Sequence, residues 1–226
     1  MYSVYELLYL VSILDYYEPE LVKIIKYYIN TYTFYIEHNI YKIINLWCSN
    51  ATREKCNLDY GHIAYWDVSE ITNMSCLFFR KYKFNDDISR WNVSNVTNMH
   101  SMFNSTYYFN QNISNWDISK VTDLSAMFMN SYVFNQPIEL WNTVNVINME
   151  LMFSDAQYFN QPLNNWNTSN VVNMNYMFHN AKSFNQPLDL WNILNVKYYD
   201  EIFYYTYEQV NTIKYFEKIM KIYINS

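Results

Sequence analysis

Six tryptophans, Trp66, Trp91, Trp116, Trp141, Trp166 and Trp191, stand 25 residues apart with no insertion or deletion between them. Phe84, Phe109, Phe134, Phe159 and Phe184 keep the same interval, 18 residues after the first five tryptophans, and each is followed by Asn. A fixed period of this length predicts stacked units, because each unit can bury its apolar face only against its neighbours. Counting Trp as zero, apolar residues recur at +2, +5, +8, +11, +12, +18 and +22, giving five full repeats and most of a sixth.

Within one repeat, the β-branched run around +5 to +8 and the segment from +22 through the next Trp have strand character. Between them, Met-Phe followed by small residues, as in Phe128–Ser131 and Phe153–Ala156, reads as a short helical turn. Phe-Asn-Gln-Pro at 134–137, 159–162 and 184–187 then turns the chain, since Pro is excluded from central strands. The expected fold is an α/β repeat solenoid, leucine-rich-repeat-like, with short parallel strands and one helical turn per coil. At ~4.8 Å per coil, six coils would span roughly 25–30 Å.

Three segments follow. Residues 1–60 lack the period and form an expected helical capping region, with helical spacing in Leu7–Leu14, in Leu21–Ile29 after Pro19, and in Ile36, Ile40, Ile43, Ile44 and Trp47. Residues 61–203 hold the array. Residues 204–226 carry Val210, Ile213, Phe216, Ile219, Met220 and Tyr223 at helical spacing, which predicts a C-terminal capping helix. Such caps shield the end of a stack whose core would otherwise be bare.

Composition narrows the function. The formal charge of −6 and pI near 5.2 argue against a nucleic-acid surface, which is normally basic. Three cysteines outside any CxxC spacing predict reduced thiols without a disulfide framework or zinc site. Met1–Leu14 is apolar but carries Glu6 and lacks a basic leader and a small-residue cleavage site. It reads as a helix of the folded protein, so an intracellular location (host cytoplasm, or a virion if the source is viral) is expected. No apolar stretch reaches the roughly 18 residues of a transmembrane span. One Gly stands against thirty-two Asn. Asn is the non-Gly residue that best tolerates left-handed backbone, so the excess predicts asparagines at the corners of each coil.

No constellation for chemistry emerges. His38, His62, His100 and His179 share no repeat position or metal-ligand spacing. Ser69, Ser94, Ser119 and Ser169 recur at +3 without a recurring base, which suits turn hydrogen bonds rather than nucleophiles. The +1 column, Asp67, Asn92, Asp117, Asn142, Asn167 and Asn192, has too few carboxylates for calcium and predicts a ladder of side chains bonding backbone. No catalytic residue, cofactor or metal is expected. The tryptophan column lies between apolar +22 and +2 residues, which favours a core scaffold over an exposed aromatic stripe.

The pattern Trp-[Asp/Asn]-x-Ser-x-Val-Thr-x-Met, then Met-Phe, then Phe-Asn, as in Trp91–Met99 and Trp116–Leu124, resembles the BspA-type leucine-rich-repeat-like family over about residues 60–203. The lead-in Tyr60-Gly61-His62-Ile63 fits it as well. Members are surface proteins of bacteria and mycoplasmas and occur in protists and large DNA viruses. The abundance of Tyr, Ile, Asn and Lys suits such an AT-rich source. The resemblance implies a solenoid used for binding or adhesion, with no catalytic residues. The chain departs from the pattern at Val144, Ile147, Val172, Leu194 and Lys197, where Ser or Thr is usual.

A non-enzymatic protein-interaction module is the leading expectation. Its variable stretch is +13 to +17, and the candidate partner surface is Tyr107, Tyr108, Tyr132, Gln157, Tyr158 and Lys182. The partner is a protein of unknown identity, and the oligomeric state is left open. Two alternatives remain: an adaptor, because Pro19–Ile29 faintly resembles the opening helix of an F-box, and a surface or virion adhesin.

Overall fold

The computed structural model describes residues 39–206. The helical patterns at Leu7–Leu14, Leu21–Ile29 and Val210–Tyr223 lie outside the described residues. The first element among the described residues is helix α1, 39–47. Its i, i+3, i+4, i+7 face (Ile40, Ile43, Ile44, Trp47) is buried. Helix α2, Arg53–Tyr60, follows and ends at Gly61, whose φ of 71° stops the helix while its N–H donates to the Asn57 carbonyl. A single 3-10 turn, Ile63–Tyr65, delivers the chain to Trp66.

From Trp66 to Thr206 every 25 residues repeat one course. Parallel bridges join Asn73, Asn98, Asp123, Asn148, Asn173 and Tyr198, each to the residue 25 positions on. At each bridge the +8 N–H reaches the +7 carbonyl of the next coil, as in Met74 to Asn98 (2.9 Å) and Met149 to Asn173 (2.9 Å). Where the sequence pattern predicts strands, the described residues hold isolated bridges and no longer strand. Side chains account for the difference. Asn or Asp at +7 accepts the +9 N–H, as Asn98 does from His100 at 2.8 Å, and +1 residues do the same for +3. These short polar side chains satisfy N–H groups that a continuous ladder would use. The segment before each Trp is likewise a turn, with Trp91 N–H on the Ile88 carbonyl.

The Met-Phe stretch is a chain of turns whose donors alternate. N–H groups at +11, +13 and +15 bond three residues back, as Leu77 to Met74, Phe79 to Cys76 and Lys81 to Phe78. Those at +8, +10, +12 and +14 cross to the next coil, as Cys76 to His100, Phe78 to Met102 and Arg80 to Asn104. The alternation requires left-handed backbone at +10 and +14. There stand Cys76, Arg80, Ser101, Ser105, Ala126, Asn130, Leu151, Asp155, Tyr176, Asn180, Glu201 and Tyr205, with φ between 47° and 59°. Only two of these twelve are Asn, so the expected link between asparagine and left-handed corners is corrected. A non-Gly residue pays roughly 1–2 kcal/mol for this conformation, and the crossing hydrogen bonds on both sides hold it there.

Asparagine serves through its side chain instead. The Asn after each Phe builds a ladder: Asn85 Oδ1 accepts from Asn110 N, Asn110 from Asn135, Asn135 from Asn160 and Asn160 from Asn185, each at 2.9 Å. The ladder foreseen at +1 is therefore found at +19, while the +1 carboxamides cap turns within their own coil.

The core is a set of columns. The six repeat tryptophans are 1–4% exposed. Five indole N–H groups donate to the carbonyl 28 residues earlier, Trp91 to Ile63, Trp116 to Ile88, Trp141 to Ile113, Trp166 to Ile138 and Trp191 to Leu163, at 2.8–3.3 Å. Phe at +12 stacks on Phe at +18 of its own coil with centroids about 4 Å apart (Phe103–Phe109 4.0 Å) and on +12 of the next (Phe103–Phe128 5.7 Å). Thr143 and Thr168 replace Val or Ile at +2 and remain buried, each hydroxyl donating to a +1 carbonyl of the next coil, Asn167 and Asn192.

Helix α1 lies over the first coil. Coil 1 has no preceding coil to bond its +7 and +9 carbonyls, and the Tyr41 hydroxyl lies 2.9 Å from Ser75 O and 3.4 Å from Asn73 O. Trp47 meets Trp66 edge-on at 5.6 Å and donates its indole N–H to Asp86. Arg53 covers the Trp47 ring and pairs with the same carboxylate.

Candidate interaction surface

Between the buried Phe residues of +12 and +18 the chain runs outward. A small buried residue at +15 (Thr106, Ser131, Ala156, Ala181) pins this excursion, the hydroxyls of Thr106 and Ser131 donating to the carbonyls of Phe78 and Phe103. The +16 and +17 side chains therefore project outward at fixed height. All six predicted residues lie in these two columns: Tyr107, Tyr132, Gln157 and Lys182 at +16, Tyr108 and Tyr158 at +17. Tyr108 and Tyr158 are about 60% exposed (59% and 62%), Lys182 is exposed, and Tyr107, Tyr132 and Gln157 are half-buried.

Half-burial has a cause. Tyr107 lies between Tyr82 and Tyr132, with centroids 4.8 and 4.7 Å apart. Tyr82 belongs to the surface although the sequence reading did not single it out; its place in the +16 column was the available signal. Because the rings cover one another's faces, the ladder presents phenol edges and hydroxyls. Burial, then the neighbouring Tyr107 and Asp155, raises the Tyr132 hydroxyl above the ordinary phenol value, so it stays a donor at neutral pH. The backbone beneath is tied by Tyr158 N–H to Tyr132 O and Ser183 N–H to Gln157 O, both 3.0 Å.

A second cluster, which the sequence pattern did not single out, joins residues of neighbouring coils. Ser125 Oγ lies 2.5 Å from Asp123 Oδ1 and 2.7 Å from His100 Nδ1, and His100 Nε2 lies 3.2 Å from Ser101 Oγ. The carboxylate can only accept, so Ser125 donates to Asp123 and receives His100 Nδ1–H, leaving Nε2 to accept from Ser101. This resembles a relay toward a nucleophile, but Ser101 and Ser125 are only 5% and 4% exposed. Their hydroxyls are closed to a substrate, and the network continues through Asn104 to Ser105 as packing.

Further along, His179 stacks on Tyr204 at 5.4 Å, with Glu201 Oε2 3.5 Å from its buried Nδ1. Burial pushes the thiols of Cys48 and Cys56 up to about 11 and raises that of Cys76 as well, so all three are protonated at neutral pH. Among the described residues no group of three or more His, Cys, Asp or Glu gathers as for a metal, and no helix is long and apolar enough to cross a membrane.

Twenty-five-residue units joined in constant register by backbone and side-chain ladders define a tandem-repeat protein. The model of the family described as "Mycoplasma protein of unknown function, DUF285" matches residues 47–157 and again 133–218, together well over half of the chain. The chain belongs to this family, and the match fits the BspA-type repeat pattern. No curated protein and no solved structure matches it.

Proposed function

We propose that this chain is a non-enzymatic module that binds a protein partner, built as an α/β, leucine-rich-repeat-like solenoid whose +13 to +17 excursions carry the binding surface. One observation carries the reading: the side chains that build the ladders and core repeat from coil to coil, whereas +16 and +17 vary, project outward and rest on backbone fixed by those ladders. Tyrosine there offers large amphipathic contact area with few rotors to freeze, and stacking of Tyr82, Tyr107 and Tyr132 has already ordered three of them. Burial of the Ser101 and Ser125 hydroxyls supports the non-enzymatic part.

The test is affinity capture from extracts of the native host, comparing the wild-type chain with the combined Tyr107→Ala, Tyr132→Ala and Tyr158→Ala variant. The variant is expected to lose the specifically captured protein while keeping its circular dichroism spectrum, with about 0.5 kcal/mol lost at exposed Tyr158 and roughly 1 kcal/mol at each of the stacked Tyr107 and Tyr132. Capture that survives all three substitutions would mean that the surface has been misplaced.

A further inference from the structure

The side chains at +9, +10, +13, +14, +16 and +17 lie outside the buried Met-Phe pair at +11 and +12 and form one strip. The contacts of His100, Ser125, Ser101 and Asn104 join +9, +10 and +13; Asn180 bonds Asp155 along +14; and the charge of Asp155 reaches the Tyr132 hydroxyl at +16. Its charges are segregated along the stack. In the first three coils the strip holds two cations, Arg80 and Lys83, and no carboxylate. In the last three its described part holds four carboxylates, Glu150, Asp155, Asp200 and Glu201, against one cation, Lys182. Arg80, Lys83, Asp200 and Glu201 are exposed. Between the two ends lie the neutral tyrosines Tyr107, Tyr108, Tyr132 and Tyr158.

We infer that this strip is a self-complementary interface, and that its occupant is a second copy of the chain lying antiparallel across a two-fold axis. A two-fold contact applies one patch to itself in reverse. A strip that is positive at one end, negative at the other and aromatic along its length, from Phe79 and Tyr82 through Tyr108 and Tyr158 to Tyr204 and Tyr205, satisfies that requirement without any other partner. The axis falls between the third and fourth coils, so Tyr132 and Tyr158 of both copies meet at the centre. Arg80 and Lys83 of one copy then lie at the end of the contact that holds Asp200 and Glu201 of the other, residues five coil steps or ~24 Å away on the same chain. Aromatic contact area with charged residues at its edge is the usual anatomy of a protein interface. End-to-end stacking of copies is the competing arrangement, and α1 opposes it by covering the first coil with Ile40, Ile43, Ile44 and Trp47 and by placing Tyr41 on its open carbonyls. The strip is short, so the dimer is expected to be weak and to owe much of its register to charge.

This inference rests on the same tyrosine surface as the proposed binding role, and the experiment separates the two. Sedimentation velocity of the full chain is run over a concentration series at about 50 mM and about 500 mM salt, which shortens the reach of surface charge several-fold. The wild type is expected to dimerise at low salt and to weaken about tenfold or more at high salt. Arg80→Glu with Lys83→Glu, and separately Asp200→Lys with Glu201→Lys, are each expected to be monomeric while keeping the wild-type circular dichroism spectrum. Mixed one to one, the two variants should recover a dimer. A wild type monomeric at both salts, a dimer indifferent to salt, or reversed variants that fail to pair on mixing overturns the inference. The salt series on the wild type decides alone if a variant does not fold. A monomeric wild type that still captures a different protein through Tyr107, Tyr132 and Tyr158 removes self-association and leaves the binding role standing; a salt-sensitive dimer with no capture does the reverse.

Discussion

Replacing Asn135 distinguishes two uses of asparagine that the sequence alone does not separate. If the amide serves the ladder, its carbonyl oxygen is what matters: Oδ1 accepts Asn160 N–H at 2.9 Å and Gln161 Nε2 at 3.0 Å. Asn135→Ala deletes both bonds and strands a half-buried backbone donor. Each net bond is worth about 0.5–1.5 kcal/mol, and a stranded donor costs more than a lost bond. Water reaches this half-buried position and recovers part of that, so the expected loss is roughly 1.5–3 kcal/mol. Asn135→Asp keeps the acceptor and should cost less than about 1 kcal/mol. Asn135→Gly should be worse than Ala by about 0.5–1 kcal/mol, since Asn135 does not have positive φ and glycine only adds chain entropy. Urea denaturation followed by circular dichroism gives the order, provided the slope m is unchanged, because a repeat stack can lose two-state behaviour. If Asn135→Gly matches the wild type or exceeds Ala, the ladder argument fails and the backbone-conformation argument returns.

Trp141→Phe keeps an aromatic ring in the column but removes the 3.1 Å bond from the indole N–H to the buried Ile113 carbonyl. Together with the smaller ring it should destabilise by about 2–4 kcal/mol in the same urea assay, and a loss under 0.5 kcal/mol would show that the indole bond is dispensable. Cys48 and Cys56 titrate near 11 in the fold against an ordinary value of 9.0. Their stabilisation is therefore complete below pH 9, is lost as pH rises from there through 11, and should appear as a falling melting temperature across that window. At pH 8 both thiols should alkylate slowly in the native chain and rapidly in urea, and native reactivity equal to that of an unfolded thiol would refute their burial.

The period was fully legible because it is written in bulky residues whose burial needs the same slot in every coil. Trp66 to Trp191, the Phe columns and Met or Leu at +8 and +11 therefore predicted the core position by position. The strands were misjudged because β-branched residues at +5 and +6 signal pleated backbone, while Asn98, Asn92 and their equivalents divert N–H groups into local turns. The left-handed positions were illegible for a different reason. At +10 and +14 the side chains are Cys, Arg, Ser, Ala, Asn, Leu, Asp, Tyr and Glu, so the conformation is imposed by bonds from both neighbouring coils and not by local preference. The His100–Ser125 contact was hidden because it joins residues 25 apart in one column, and a scan that seeks two different residue types at a recurring spacing sees each only once.

The same division underlies the choice of the +16 and +17 columns as the proposed surface. In a stack, a position that bonds or packs against both neighbours is held to one solution in every coil, and the +6 column shows the limit of that rule. Thr97 and Thr122 donate their hydroxyls to the preceding Thr carbonyls, yet Ile147 and Val172 occupy the same place with the backbone bonds intact. The backbone ladder fixes the coil, and the hydroxyl adds to it without being required. Replacing Ile147 with Thr should therefore change stability by less than about 1 kcal/mol, since the added bond and the lost methyl contact nearly cancel at a half-exposed site. Positions whose side chains build neither the core nor the amide ladder, such as +16 and +17, are freer still, and their residue types change from coil to coil. A larger loss at Ile147 would mean that the exposed apolar residues of the later coils are themselves part of an interface.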